Sequence, residues 1–171
     1  MAQQPSNTTK YLYKIVPSHP KPSVSAHGNV LGNSTPVLPP STLDISSNFI
    51  HMSTASQIIG TLTRFFATSG EQRSVIYLLR VPLQPLEERE VVKWESPDAK
   101  VGGSRDGEGM FPHIYFNDAE DEEVGFSENP DTKSRRLWIR KNEVESMMEV
   151  VSDIGCAGWE EGLKKLDGWL V

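Results

Sequence analysis

The chain is poor in cysteine: Cys156 is the only one in 171 residues. One thiol forms neither an internal disulfide nor a zinc site made of several cysteines. An apolar run of about 18 residues and a charged-then-apolar leader are also lacking, which predicts neither a membrane span nor a signal peptide. Acidic residues outnumber basic ones by 23 to 17, and the net charge of −6 argues against a broad nucleic-acid-binding surface. We therefore expect a cytoplasmic protein that binds neither nucleic acid nor membrane.

The length and the 37% hydrophobic content suit a single domain spanning residues 1–171. The polar residues 1–9 are typical of a disordered terminus. Residues 17–42 contain many of the prolines and predict a long irregular loop. A second loop is predicted at 96–110, which is rich in glycine and charge. The segment 127–171 is expected to form a C-terminal extension of one strand and helices.

Hydrophobic periodicity predicts strands and helices in an irregular order. Apolar runs, alternating or continuous, indicate strands at 11–16, 49–53, 75–81, 91–95, 111–116 and 136–140. The run at 75–81 is nearly continuous, which is typical of a central strand buried on both faces. Apolar residues three and four apart indicate a strong helix at 55–67, directly after the second strand, and further helices at 142–152 and 159–167. This order predicts an α+β fold with C-terminal helices.

Two of the predicted strands carry a histidine between apolar neighbours. They read Phe49-Ile50-His51-Met52-Ser53 and Phe111-Pro112-His113-Ile114-Tyr115. Because side chains alternate along a strand, His51 shares a face with Phe49 and Ser53. His113 shares a face with Phe111 and Tyr115 for the same reason. Imidazoles transfer protons near neutral pH, so we predict that the pair flanks one cleft as catalytic acid/base or orienting groups. A core histidine with a satisfied hydrogen bond is the alternative at each position.

Other residues would complete such a cleft. Glu95 is expected to orient a histidine or to bind a ribose hydroxyl. Tyr115 would stack on a ring or donate its hydroxyl, and Phe111 would contact the substrate. Together, His51, Glu95 and His113 would also suit a facial metal site, but their spacing matches no metal signature, and we predict no metal.

The junction between the second strand and the helix at 55–67 predicts a substrate-binding turn. Ser53, Thr54 and Gln57 lie there, and backbone N–H groups at such a junction suit a phosphate or a carboxylate. The alternative is structural: Thr54 and Gln57 fit a capping box, and Ser53 fits a helix cap.

Several segments occur in an order that carries a family resemblance. They are Tyr11-Leu12-Tyr13-Lys14-Ile15, Leu43-Asp44, 48–57, Arg64-Phe65-Phe66, Trp94-Glu95 and Phe111-Pro112-His113-Ile114-Tyr115. Together they resemble the DUF952 family over roughly residues 10–126. That family looks like a divergent branch of the ADP-ribosyltransferase-like fold, which implies a split antiparallel or mixed β-sheet core. The resemblance also implies that Lys14 lies near a substrate-binding position of the first strand.

The resemblance and the histidines together predict a small-molecule enzyme on this scaffold. In such transferases a late strand supplies a glutamate, whereas here it carries His113 and Tyr115, which favours a repurposed biosynthetic lyase, isomerase or cyclase. The alternatives are NAD-dependent ADP-ribosyl transfer and a non-catalytic module that binds a nucleotide-like ligand. NAD is a candidate cofactor by fold analogy alone. The predicted C-terminal helices offer a surface for an oligomer.

Overall fold

The computed structural model describes residues 9–17, 36–38, 40–66, 74–97, 109–115, 139–140, 143–152 and 158–171. The strands are β1 (Tyr11–Val16), β2 (Pro36–Leu38), β3 (Ile50–His51), β4 (Val75–Pro82), β5 (Val92–Glu95), β6 (Phe111–Ile114), β7 (Ile139–Arg140) and β8 (Ser146–Val151). The helices are α1 (Thr42–Ser47), α2 (Ile58–Phe65), α3 (Leu83–Glu88) and α4 (Glu160–Lys164), and a 3-10 turn (Ala55–Gln57) leads into α2. Almost all of the predicted disorder at 1–9, and most of the predicted loops at 17–42 and 96–110, lie outside the described residues.

The first sheet has β4 at its centre, with β1 on one side and β8 on the other, and both pairings are antiparallel. Alternate residues of β4 enter two separate cores. Leu79 and Val81 pack in the same core as Leu12 of β1. On the other face, Ile76 and Leu78 pack in a core with Tyr13. The prediction of a central strand buried on both faces is therefore confirmed.

The second sheet has the order β3–β6–β5 and is also antiparallel. Ile50 of β3 lies opposite Ile114 of β6, and both are buried in the core that contains Leu79. The next pair along these strands, His51 and His113, is also in register. Since neighbouring residues of a strand point to opposite faces, this pair belongs to the face turned away from that core.

Within the described ranges, one backbone bridge joins the two sheets. Tyr13 and Ser53 exchange two hydrogen bonds, with N to O distances of 2.8 and 3.0 Å. A third, two-stranded sheet pairs β2 with β7. The fold is thus α+β with antiparallel sheets, as the order of elements predicts.

The helix predicted at 55–67 is confirmed as the 3-10 turn followed by α2. Ile58 and Leu62 of α2 are fully buried in the core that contains Tyr13. At the start of the turn, the side chain of Gln57 accepts a hydrogen bond from the Thr54 N–H at 3.0 Å. This contact closes the turn and orients the helix against β1.

The helix predicted at 142–152 is wrong, because residues 146–151 form β8 at the edge of the first sheet. Met147 and Val150 are buried on opposite faces, opposite Leu79 and Ile76 of β4. Methionines and valines at these spacings are compatible with a helix or a strand. The segment forms a strand because it pairs with the free edge of β4. The C-terminal extension therefore contains β7, β8 and the single helix α4 in its described part, and not two helices.

Two short helices also differ from the prediction. α1 begins at the end of the predicted loop at 17–42 and continues to Ser47, where no helix is predicted. α3 follows β4 directly and contains Pro85, although prolines at 82 and 85 are typical of a loop. A proline in the first turn of a helix is tolerated, because its missing N–H would have no partner inside the helix.

Candidate functional site

Helix α1 places a carboxylate in the protein interior. The Ser41 hydroxyl accepts a hydrogen bond from the Asp44 N–H at 3.1 Å, and the Asp44 carboxylate accepts one from the Ser41 N–H at 2.9 Å. This capping box fixes the first turn of the helix, and Asp44 is fully buried. The helix ends at Asn48, whose φ of 60° turns the chain into β3.

Asp44 collects hydrogen bonds from three parts of the chain. The Lys14 ammonium of β1 lies 2.9 and 2.8 Å from its two oxygens. The His51 N–H donates to Oδ1 at 3.0 Å, and the His51 ring Nδ1 lies 3.0 Å from the same oxygen. Burial alone would raise the pKa of Asp44, but the hydrogen bonds of His51 and the charge of Lys14 hold this pKa well below its usual range. Asp44 is therefore a carboxylate.

An ionised Asp44 defines the state of the His51 ring. A carboxylate only accepts hydrogen bonds, so Nδ1 of His51 carries a proton and donates it to Asp44. The Nε2 atom has no hydrogen-bond partner among the described residues. The side chain is 23% exposed, while that of Asp44 is fully buried. His51 is thus a partly exposed histidine whose ring is held by a buried carboxylate.

A second carboxylate holds the second histidine. Glu95 Oε2 lies 3.1 Å from Nδ1 of His113 and accepts a hydrogen bond from the Tyr115 hydroxyl at 2.7 Å. Burial lowers the pKa of His113 against the opposing effect of Glu95, so His113 is neutral. Burial and the Glu95 carboxylate raise the pKa of Tyr115 above its usual range, so Tyr115 remains a phenol.

The two imidazoles lie side by side with Phe49 against both. Their ring centroids are 5.2 Å apart in an edge-on arrangement. Phe49 stacks on His113 at 4.0 Å and tilts against His51 at 4.5 Å. His113 is 1% exposed, and its Nε2 is a buried side-chain atom without a hydrogen-bond partner among the described residues. Such an atom is costly to leave unsatisfied.

The structure brings together five predicted residues: Lys14, His51, Glu95, His113 and Tyr115. Their roles in a reaction stay predictions. Lys14 reaches this group through Asp44, which it contacts with both carboxylate oxygens.

The residues predicted at the strand–helix junction make contacts within the fold. Ser53 Oγ is buried and lies 3.5 Å from Thr61 Oγ1 on α2. The Thr54 hydroxyl lies 3.0 Å from that of Ser56. Gln57 accepts from Thr54 and donates its amide to the carbonyl of Met110, just before β6.

Among the described residues, Phe111 makes no ring contact with the cluster of Phe49, His51, His113 and Tyr115. It is the first residue of β6 and lies opposite Glu95 of β5. It is partly buried, two positions before His113.

The residue that sequence reasoning misses is Asp44. It appears above only as part of the Leu43-Asp44 segment, yet it organises half of the site. A signal was present: Ser41 followed three residues later by Asp44 is close to the capping-box pattern, which places a helix start there. Phe49 was recognised as sharing a face with His51, but its stacking on His113 follows only from the pairing of β3 with β6.

The described ranges contain no group of three or more histidine, cysteine, aspartate or glutamate side chains that could hold a metal ion. None of the helices in this part of the chain is long and apolar enough to cross a membrane.

Comparison with known proteins places the site in a family. The model of a protein family of unknown function, DUF952, matches residues 26–124. The chain belongs to the DUF952 family. The match contains Asp44, His51, Glu95, His113 and Tyr115, while Lys14 on β1 lies outside it. The predicted family resemblance is thereby confirmed, over a range that begins later than predicted.

This DUF952 protein is also similar to solved structures. The crystal structure of protein CC0527 from Caulobacter crescentus is 24% identical and superposes with a TM-score of 0.48, covering 84% of this chain and 88% of that chain. A double mutant of the same protein gives the same values. No curated protein matches the chain.

Proposed function

We propose that the chain is a small-molecule enzyme in which His51 transfers a proton. The observation that carries this proposal is the contact between the fully buried Asp44 carboxylate and Nδ1 of His51, at 3.0 Å. In such a pair, Nε2 takes a proton from the substrate, and the carboxylate stabilises the imidazolium that forms. The same nitrogen then returns the proton to the product.

His113 has a different role in this proposal. It is neutral and buried, and Glu95 accepts its Nδ1–H, so its Nε2 presents a lone pair. That lone pair accepts a hydrogen bond from a substrate O–H or N–H and orients it beside His51. Because their surroundings differ, His51 serves as the proton carrier and His113 as the orienting group in this proposal. Lyase, isomerase and cyclase reactions all use a proton transfer of this kind.

The scaffold is proposed to be ADP-ribosyltransferase-like. Two three-stranded antiparallel sheets joined by one backbone bridge support this arrangement. The residues present do not fit NAD-dependent transfer as the resemblance implies it, however. Lys14, at the first-strand position, has its ammonium within 2.9 Å of both oxygens of Asp44. Glu95 already accepts from His113 and Tyr115 through Oε2. Acid/base chemistry is therefore the better-supported reading.

A screen for conversion tests the proposal. The purified protein is incubated with mixtures of small metabolites, and loss of substrate is followed by mass spectrometry. For the compound that is converted, His51→Gln is expected to lower the rate by about 100-fold or more. Lys165→Gln, an exposed change on the segment after α4, serves as the matched control and leaves the rate unchanged. Equal conversion by wild type and His51→Gln would overturn the proposal.

The NAD alternative and the binding-module alternative have their own readouts. Thermal unfolding is recorded with NAD, ADP-ribose and nicotinamide, because a ligand of the native state raises the melting temperature. At a hundred times the dissociation constant the gain is about 2.7 kcal/mol, or about 5 °C or more for a chain of this size. A shift with NAD would favour the transferase reading. Binding of any ligand without conversion would favour a non-catalytic module.

A further inference from the structure

Lys93 lies in the same row of the second sheet as the two histidines. It is the partner of His113 in the pairing of β5 with β6, and His51 is the partner of His113 in the pairing of β3 with β6. Directly paired residues of neighbouring strands project from the same face. The sheet therefore presents an ammonium and two imidazoles side by side across three strands.

The ammonium of Lys93 has no carboxylate within ion-pair distance in the part of the chain that the structure describes. It lies 4.2 Å from the ring centroid of Tyr115, and the residue is exposed. The nearby carboxylates are engaged elsewhere: Asp44 with Lys14, and Glu95 with His113 and Tyr115. A cation held over an aromatic ring at the edge of a site keeps its charge available to an incoming anion.

The unsatisfied Nε2 of His113 is a second, independent sign of a ligand. This atom is buried, and no donor reaches it from the part of the chain that the structure describes. A molecule that reaches it must offer an O–H or N–H there, and the next residue across the sheet is Lys93. A hydroxyl or amine next to a negative group matches both positions.

We propose that the ligand of this site is an anion whose carboxylate or phosphate is held by Lys93. The inference builds on the proposed function and adds the substrate class. The charges of Lys14 and Asp44 offset each other within the site, and the proposed role of His113 is to accept a hydrogen bond from a neutral donor, so Lys93 is the group that selects for negative charge.

Titration with simple anions tests this proposal without knowledge of the substrate. Inorganic phosphate and acetate are added separately, and the imidazole signals of His51 and His113 are followed by NMR. At least one anion is expected to shift these signals saturably. Lys93→Gln is expected to weaken that binding by about tenfold, the scale of one charged hydrogen bond. Lys93→Arg keeps the charge and retains binding, and Lys165→Gln is the control for loss of an exposed charge.

The outcomes separate the two sources of negative charge and the two proposals. A response to phosphate alone indicates a phosphorylated substrate, and a response to acetate alone indicates a carboxylate. If neither anion shifts the signals, or if Lys93→Gln and Lys165→Gln bind equally, the anion site is wrong. Binding that depends on Lys93, together with conversion that is indifferent to His51→Gln, would leave the anion site standing and overturn the acid/base function.

Discussion

The Asp44 carboxylate supports a stability prediction that the structure makes quantitative. Asp44→Asn keeps the shape of the side chain and removes its charge. The ammonium of Lys14, whose side chain is 13% exposed, then loses its counter-charge, and the His51 ring loses its ionised acceptor. Breaking a buried pair by removing one partner costs about 3–5 kcal/mol. Since the amide still accepts hydrogen bonds, we expect the lower end, about 3 kcal/mol, or about 6–12 °C in melting temperature.

The assay is thermal and urea unfolding of four proteins: wild type, Asp44→Asn, Lys14→Met and the double variant. If the two charges act as a pair, the double variant is less destabilised than the sum of the single variants by about 1–3 kcal/mol. Asp167→Asn, which removes an exposed carboxylate after α4, is the matched control and is expected to change stability by less than about 0.5 kcal/mol.

The pH dependence follows from the direction of the pKa shift. The pKa of Asp44 is lower in the folded state than in the unfolded state, so the folded state favours the carboxylate. The resulting stability is fully present above the unfolded value of about 4 and is lost as the pH falls below it toward the folded value. The gap between wild type and Asp44→Asn should therefore narrow below about pH 4. The reasoning would be refuted if Asp44→Asn lowered the free energy of unfolding by less than about 1 kcal/mol at neutral pH, or if the effects of Asp44→Asn and Lys14→Met simply added in the double variant.

Three further outcomes are expected. Gly162→Ala is expected to cost about 1–3 kcal/mol in urea unfolding, because a Cβ there would overlap the carbonyl oxygen of Val151, and an unchanged midpoint would contradict that packing. Gly60→Ala is its counterpart inside α2, where an added Cβ meets no atom within 4 Å, and it should stabilise by about 0.5–1 kcal/mol by the same measurement. In Tyr115→Phe, the ultraviolet tyrosinate signal at about pH 10 should equal that of the wild type, because burial and the neighbouring Glu95 keep the Tyr115 phenol of the wild type protonated at that pH. A decrease by the contribution of one tyrosine would contradict this prediction.

Local sequence patterns predict those strands and helices whose buried positions form a periodic pattern within a few consecutive residues. The continuous run in β4 indicates a strand with neighbours on both edges, and the three-and-four spacing of α2 indicates a helix with one buried side. Both hold because the residues that form them also form the cores. Period-two alternation likewise assigns each histidine to a face of its own strand, His51 with Phe49 and His113 with Tyr115.

Features that depend on distant partners escape such patterns. β8 is a strand because it pairs with the free edge of β4, whose residues are 66 or more positions away in the chain, beginning with the pairing of Arg80 with Ser146. Asp44 enters the site because Lys14 of the other sheet and His51 of the next strand converge on it. A one-residue change of register between β3 and β6 would separate the imidazoles, and no local spacing encodes that register.

The bridge between Tyr13 and Ser53 has a consequence for how the site is assembled. Tyr13 directly precedes Lys14, and Ser53 lies two residues after His51. This bridge therefore fixes the position of the Lys14 ammonium relative to the Asp44–His51 pair. A slip of this pairing by a single residue would shift Lys14 relative to Asp44 and His51 and separate the ammonium from the carboxylate. The charges of the site are therefore set in place by folding, and a ligand of the proposed site would meet dipoles that are already oriented.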